Sequence, residues 1–183
     1  ENMGEFLRDP KGMIFSGAGL SVYGGVLLSL ITCYFLVRKY SENYLQMADY
    51  AAPAIALGYA LGRIGCHVSG DGDYGTVTSS FWGTAYPNGI VPSSAAVYPT
   101  PLFESFFSFF VCGLLLQLRK KELPTGTIFF LYLILNGLPR FLVEFIRVNP
   151  VVAFGLTQAQ LVAIGLVIAG GVGLYRGMKL RKA

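Results

Sequence analysis

Apolar residues fall in five long blocks separated by short polar stretches: roughly Gly19 to Val37, Tyr50 to Ile64, Pro101 to Leu118, Thr127 to Ile146 and Leu156 to Tyr175. Crossing a bilayer as a helix takes about 20 mainly apolar residues. The second block is the shortest and is rich in Ala and Gly. The alternative, buried core helices of a soluble protein, sits badly with runs such as Ile128-Phe129-Phe130-Leu131-Tyr132-Leu133-Ile134-Leu135. The pattern predicts an all-α polytopic membrane protein of about five transmembrane helices. Residues 1–183 form a single transmembrane domain in this reading, and residues 66–100 form a loop region after the second helix.

The block ends carry matching signals. Thr100-Pro101 reads as an N-cap followed by proline at the first helical position. Thr157 with Gln160 fits a capping box opening the last helix. Pro139 removes one backbone bond, to Leu135, and is expected to kink the fourth helix. The 35-residue stretch 66–100 holds Gly, Pro, Ser, Thr and Asn throughout. Connections of that length are usually functional or disordered.

Composition narrows the class. Apolar residues make up 54 % and charged ones 13 %, with a mean hydropathy of +0.56. Typical soluble domains have about 25 % charged residues. A soluble enzyme, a disordered tail and a nucleic-acid binder are therefore excluded. The net charge of +4 has a topological explanation, since Lys and Arg collect on the cytoplasmic side of short loops. Arg38, Lys39, Arg119, Lys120, Lys121, Arg176, Lys179, Arg181 and Lys182 are nine of the fourteen basic residues, and five crossings place all nine on one face. The chain is thus expected to start outside and end in the cytoplasm, with 66–100 facing outward. Ser16 to Gly25 is not a signal-peptide core, because apolar sequence continues to Val37. The opening Glu1-Asn2-Met3 suggests a fragment or a processed form. Cys33, Cys66 and Cys112 lie at or within membrane depth and do not suggest a disulfide framework.

Five basic residues remain, and three of them, with two acids, stand where charge is costly. Asn136, Arg140 and Glu144 are spaced by four, with Arg147 three further on, which predicts one helix face. Arg63 lies near the outer end of the second block and Glu104 in the first turn of the third. An intramembrane Arg costs several kcal/mol on most scales and faces protein or a watery cavity. One explanation is an Arg140–Glu144 pair that glues helices. The other is a polar cleft open to the outside, favoured because one carboxylate does not need two arginines. Two arginines at that depth suit a phosphate, held by bidentate charge-assisted bonds. Phospholipid headgroups supply phosphates at that height.

The densest polar stretch is Gly62-Arg63-Ile64-Gly65-Cys66-His67-Val68-Ser69-Gly70-Asp71-Gly72-Asp73-Tyr74-Gly75. Asp71 and Asp73 suit general bases or hard-cation ligands, but the spacing of a full calcium loop is missing. Cys66 is read as a small packed residue ahead of a nucleophile, and His67 as a loop side chain bonded to backbone. Neither a metal nor a cofactor is expected. Tyr74, Phe81, Trp82, Tyr86 and Tyr98 are read as an interfacial belt.

These residues resemble the bacterial prolipoprotein diacylglyceryl transferases. Gly62-Arg63-Ile64-Gly65 and the Gly/Asp loop are similar to that family's Gly-Arg-x-Gly-Asn-Phe-x-Asn-Gly-Glu signature. Ser21-Val22-Tyr23-Gly24-Gly25 resembles its Ser-Phe-His-Gly-Gly segment. Tyr98-Pro99-Thr100-Pro101-Leu102-Phe103-Glu104 resembles its His-Pro-Ser/Thr-Gln-Leu-Tyr-Glu, and Arg140 to Arg147 its Arg-Phe-x-x-Glu-Phe-x-Arg. Leu156 to Leu161 resembles the opening of its final helix. Family members have seven crossings, so two N-terminal ones have no counterpart in this reading.

The resemblance implies transfer of the diacylglyceryl group of phosphatidylglycerol to the lipobox cysteine of prolipoproteins, at the outer, periplasmic face of the bacterial inner membrane. A paralogue with another acceptor, or a non-catalytic phospholipid-binding protein, is the alternative. The partners implied are phosphatidylglycerol, prolipoprotein signal peptides and the bilayer. Arg140, Glu144, Asp71 and Tyr23 are the implied catalytic residues. Arg63, Arg140 and Arg147 would take the phosphate, with Cys66, His67, Asp73, Glu104 and Asn136 in support. Tyr23, Cys66, Asp71 and Tyr98 stand where the family has His, Asn, Glu and His. Tyr ionises near pH 10 against about 6.5 for His, which makes it the poorer base.

Overall fold

The computed structural model describes residues 22–40, 43–147, 149, 151–153 and 155–182. Its elements, in chain order, are helix α1 (Val22–Lys39), helix α2 (Tyr44–Ser69), strands β1 (Thr84–Tyr86) and β2 (Ser93–Val97), helix α3 (Thr100–Leu118), helix α4 (Thr127–Val143) with a 3-10 turn at Glu144–Ile146, strands β3 (Val151–Ala153) and β4 (Leu156–Thr157), and helix α5 (Gln158–Lys182). The contacts divide the chain into two units, Glu1–Tyr44 and Leu45–Ala183. In the first, the Tyr44 hydroxyl donates to the Tyr34 carbonyl at 2.9 Å and the two rings stack.

The second unit is mostly helical. Among the described residues, three helical stretches are long and apolar enough to cross a membrane: Thr100–Leu118, Thr127–Ile146 and Gln158–Gly177. They match the last three blocks expected from the apolar pattern. Helix α2 runs six residues beyond the expected block at its start and five beyond at its end.

Small residues let the helices approach, as membrane packing requires without a hydrophobic driving force between them. Ala52 and Ala56 of α2 pack with Val111, Cys112 and Leu115 of α3 and with Ile128 and Tyr132 of α4. The Ser105 hydroxyl donates to the Ala60 carbonyl at 2.9 Å, tying α3 to α2. Between α4 and α5 the backbones nearly touch. A methyl added at Gly137 would stand 2.8 Å from the Ala163 carbonyl, and one at Gly170 would stand 2.6 Å from that of Phe130.

Two ends differ from expectation. Thr100 does not cap α3 with its side chain; the hydroxyl donates instead to the Asp73 carbonyl at 2.6 Å, leaving Pro99 as the cap residue. Beyond Glu144 the chain leaves the α-helix, and Arg147 is extended, with φ −90° and ψ 153°. Helical periodicity therefore does not place Arg147. A bridge to Gly75 does.

The expected loop 66–100 begins only at Gly70, because α2 runs to Ser69, and ends at Pro99; the residues between form an ordered cap. β1 and β2 pair antiparallel, Thr84 opposite Val97 and Tyr86 opposite Ser93. Gly75 N–H donates to the Tyr98 carbonyl at 2.9 Å and Thr76 N–H to the Ile146 carbonyl at 2.8 Å. The segment from Asp73 to Val77 is thus clamped between the hairpin and the end of α4. A Cβ on Gly75 would lie 2.6 Å from the Ile146 carbonyl, so glycine is the residue that fits this approach.

Candidate active site

The end of α2, the start of α3 and the end of α4 meet beneath this cap, and each brings charge. Glu104 is buried in the first turns of α3 and is the hub. Its Oε1 accepts from Arg140 Nη1 and from the Tyr59 hydroxyl, both at 3.0 Å. Its Oε2 lies 3.1 Å from Arg63 Nε and 3.8 Å from Arg147 Nη1. Arg63 also donates from Nε to the Tyr59 hydroxyl at 3.1 Å, one helical turn earlier.

Glu144 is fully buried at the end of α4. Its Oε1 accepts from Asn149 Nδ2 at 2.6 Å and from the Thr157 hydroxyl at 2.7 Å. Its Oε2 lies 3.3 Å from Arg140 Nη2 and 3.9 Å from Arg147 Nε. Thr157 is held by the expected capping box. Its N–H donates to Gln160 Oε1 at 3.0 Å, and Gln160 N–H donates back to Thr157 Oγ1 at 3.3 Å.

Asp73 closes the cluster from the cap, pairing with both Arg63 and Arg147. Burial works against its ionisation, but the two guanidiniums prevail and hold its carboxyl below the usual Asp range. At 35 % it has the most exposed side chain of the six charged groups.

Three arginines thus face three carboxylates, which overturns the expectation of more arginine than the acids can use. The surplus lies in geometry. Glu104 Oε2, Glu144 Oε2, Arg147 Nε and Arg147 Nη1 are buried and make no aligned hydrogen bond, although ion-pair partners lie within 4 Å. Buried polar atoms are normally satisfied, so these mark capacity for a further ligand or a rearrangement.

Below the charged roof lies an open-sided cleft between α2, α3 and α4. Tyr59, Glu104, Asn136 and Arg140 line its polar end; Ala56, Phe107, Val111 and Leu135 line its apolar end. Its empty space is about 310 Å³ with the mouth included.

The other expected site residues lie around this core. Asp71 Oδ1 accepts the Asp73 N–H at 3.1 Å and shapes the turn. His67 is not the expected loop side chain bonded to backbone: it lies in the last turn of α2 with Nδ1 2.7 Å from the Tyr86 hydroxyl, and Tyr86 stacks on Tyr74 with ring centroids 4.6 Å apart. Cys66 Sγ is 3.9 Å from Arg63 Nη1. Cys66, Asp71 and Asp73 bring ligand atoms within 4.8 Å of one another, but Asp73 is already taken by two arginines, which argues against a cation there. Tyr23 is in α1, and its side chain lies outside the described residues. Tyr59, Asn149 and Thr157 were missed as members of the network. Tyr59 had a sequence signal, since it stands one turn before Arg63 on the same helix.

The family model described as prolipoprotein diacylglyceryl transferase matches residues 6–176. The chain is 36 % identical over 171 residues to the phosphatidylglycerol–prolipoprotein diacylglyceryl transferase of Finegoldia magna, covering 93 % of this chain and 64 % of that protein. It is 35 % identical over 186 residues to the enzyme of the same name from Leptospira interrogans, covering 86 % and 58 %. A third relative, phosphatidylglycerol–prolipoprotein diacylglyceryl transferase 2 of Clostridium perfringens, is 34 % identical over 179 residues, covering 96 % and 69 %. The chain therefore spans about six-tenths of the length of the first two relatives.

Proposed function

Because the chain belongs to the prolipoprotein diacylglyceryl transferase family, we propose that its charged cluster transfers the diacylglyceryl group of phosphatidylglycerol to the thiol of a lipobox cysteine. The observation that carries this reading is the convergence of Arg63 and Arg140 on Glu104, directly above a cleft with apolar walls. A phospholipid has the same polarity, anionic at one end and hydrocarbon at the other. In the membrane, the cluster sits on the outer side and the basic residues at 38–39, 119–121 and 176–182 sit in the cytoplasm, with about five crossings in this chain.

The phosphate enters where Asp73 now sits. Asp73 bridges Arg63 and Arg147 from a glycine-flanked loop and is the most exposed member of the cluster. A phosphodiester offers the same two guanidiniums an anion of matching geometry, so the exchange leaves their charge compensated. Arg140 stays fixed by Glu104 and Glu144, aimed at the cleft.

In the reaction, the thiolate sulfur attacks the diacylglyceryl carbon bonded to the phosphate oxygen. A C–S bond forms and that C–O bond breaks. The electron pair leaves on the phosphate of glycerol phosphate, where the arginines stabilise the developing charge. The thiol must first lose its proton, because the thiolate is the nucleophile. Asp71 accepts that proton. Its carboxylate accepts from the Asp73 amide and from the Cys66 thiol rather than from an arginine. Glu144 serves as the anchor of Arg140.

Incubation of the purified protein with phosphatidylglycerol and a lipobox peptide tests the reading. The expected result is a peptide mass increase of one diacylglyceryl unit with release of glycerol phosphate. Headgroup release without peptide modification would move the assignment to another acceptor. Lipid binding without release would make the protein a non-catalytic phospholipid binder.

A further inference from the structure

From Tyr74 to Phe103 the chain carries thirty consecutive residues without Asp, Glu, Lys, Arg or His. The loop at the opposite end of α3 reads Arg119-Lys120-Lys121-Glu122. Segments that run through water are rarely so free of charge, and this one includes the whole β1–β2 hairpin.

Four of its six aromatic residues fall into two groups. Tyr86 is buried and stacks on Tyr74, so these two serve the interior of the cap. Phe81 and Trp82 point outward, 86 % and 59 % exposed, with their rings 4.6 Å apart. The turn that presents them uses its own amides. Ser80 N–H donates to Thr78 Oγ1 at 3.1 Å, Trp82 N–H to Ser80 Oγ at 3.3 Å and Gly83 N–H to the Ser80 carbonyl at 2.8 Å. Each amide paired in this way lowers the cost of bringing the turn into a low-polarity environment.

The tip also has a defined height. The Trp82 ring meets Phe103 edge-on at 6.5 Å. Phe103 lies in the first turn of α3, and at 1.5 Å per residue a helix of that length rises about 28 Å, close to the hydrocarbon thickness of about 30 Å. The first turn therefore lies at the boundary between hydrocarbon and headgroups. Below it, Phe106 and Phe110 continue an exposed phenylalanine flank down the helix. The tip is the upper end of an apolar surface that already belongs to a membrane-crossing helix.

We propose that Phe81 and Trp82 form an anchor that seats the cap in the bilayer interface, with the partner being the lipid surface on the side of the charged cluster. The anchor sets the height of the cap, and hence of Asp73 and the arginines below it, against the headgroups. Aromatic side chains of this kind favour that layer. A peptide or a second copy of the chain fits less well, because the turn offers no charge to pair with. The assignment does not depend on which acceptor receives the lipid group.

Trp82 is the one tryptophan of the chain, which makes the test direct. The full chain is reconstituted in vesicles of phosphatidylcholine and phosphatidylglycerol whose acyl chains carry bromine near the headgroup or near the chain end. The expected result is blue-shifted Trp82 emission, quenched several-fold more by shallow bromine than by deep bromine and barely by aqueous iodide. Emission typical of water with strong iodide quenching overturns the proposal. So does protection from both quenchers, which would mean that protein covers the tip. A blue shift that arises only when lipobox peptide is added also overturns it, in favour of a peptide seat. Phe81→Asp should lose most of the bromine quenching while the helical circular dichroism signal is kept; unchanged quenching in that folded variant counts against the anchor.

Discussion

Asp49 and Glu104 are both buried carboxylates in the helical unit, yet they sit in opposite chemical settings. Asp49, near the start of α2, receives the N–H of Gly126 at 2.6 Å and that of Phe129 at 2.7 Å. It caps the N-terminus of α4, which has no side-chain cap of its own. Backbone amides and the positive end of the helix dipole satisfy it without a basic side chain. Glu104 instead collects guanidiniums from two elements and keeps an oxygen with no aligned hydrogen bond. One carboxylate is saturated and positions a helix. The other belongs to a cluster with bonding capacity left over, and that difference separates scaffold from site.

Substitutions sharpen the contrast. The largest effect on turnover is expected from Arg140→Lys, because a point charge cannot keep both the Glu104 and Glu144 contacts and still grip a phosphate. Loss of one donor to a developing charge costs on the order of 10²–10³ in rate. A lipidation assay on protein of unchanged helical content measures this, and full activity would remove Arg140 from the phosphate site. Glu104→Gln is expected to cost about 3–5 kcal/mol of stability by leaving buried arginines uncompensated, read as a large fall in the thermal midpoint. Asp49→Asn should cost less, about 0.5–2 kcal/mol as for other lost helix caps, and should lower turnover only as far as it lowers the folded fraction. If Asp49→Asn proved the more damaging to catalysis in folded protein, the division drawn above would be wrong.

Smaller effects test the lip of the cluster. Asp73 has a depressed native pKa, so its ion pairs stabilise the fold fully above its unfolded value of about 4 and are lost as the pH falls further. Asp73→Asn should therefore flatten the acid limb of the stability profile. It should also lower the KM for phosphatidylglycerol, since a competing anion is gone; an unchanged KM would show that the phosphate does not use that seat. Cys66→Ser is expected to leave activity nearly intact, and complete inactivation would revive a nucleophilic thiol.

Much of this was readable in the chain because it is local. The apolar blocks mark helices, the Thr157/Gln160 spacing marks a helix start, and the interval from Arg140 to Glu144 marks one face. What escaped depends on distant partners. Asp49 meets Gly126 across 77 positions, a contact with no periodic trace. Thr100 looks like a cap by its neighbours, but a carbonyl 27 residues earlier claims its hydroxyl. Glu104 read as a supporting acid because its centrality exists only once α2 and α4 converge on it. Spacing alone puts Arg147 on a helix face, whereas a 3-10 turn and the bridge to Gly75 carry it to Asp73.

The double duty of Thr157 limits which way the protein can yield. Its hydroxyl accepts the first-turn amide of α5 and donates to Glu144, while Gly137 and Gly170 press the two neighbouring backbones together. Parting this seam would fray the beginning of one helix and strip a buried acid of one of its donors in a single movement. The seam therefore forms the spine of a book, whose open side is the cleft lined by α2, α3 and α4.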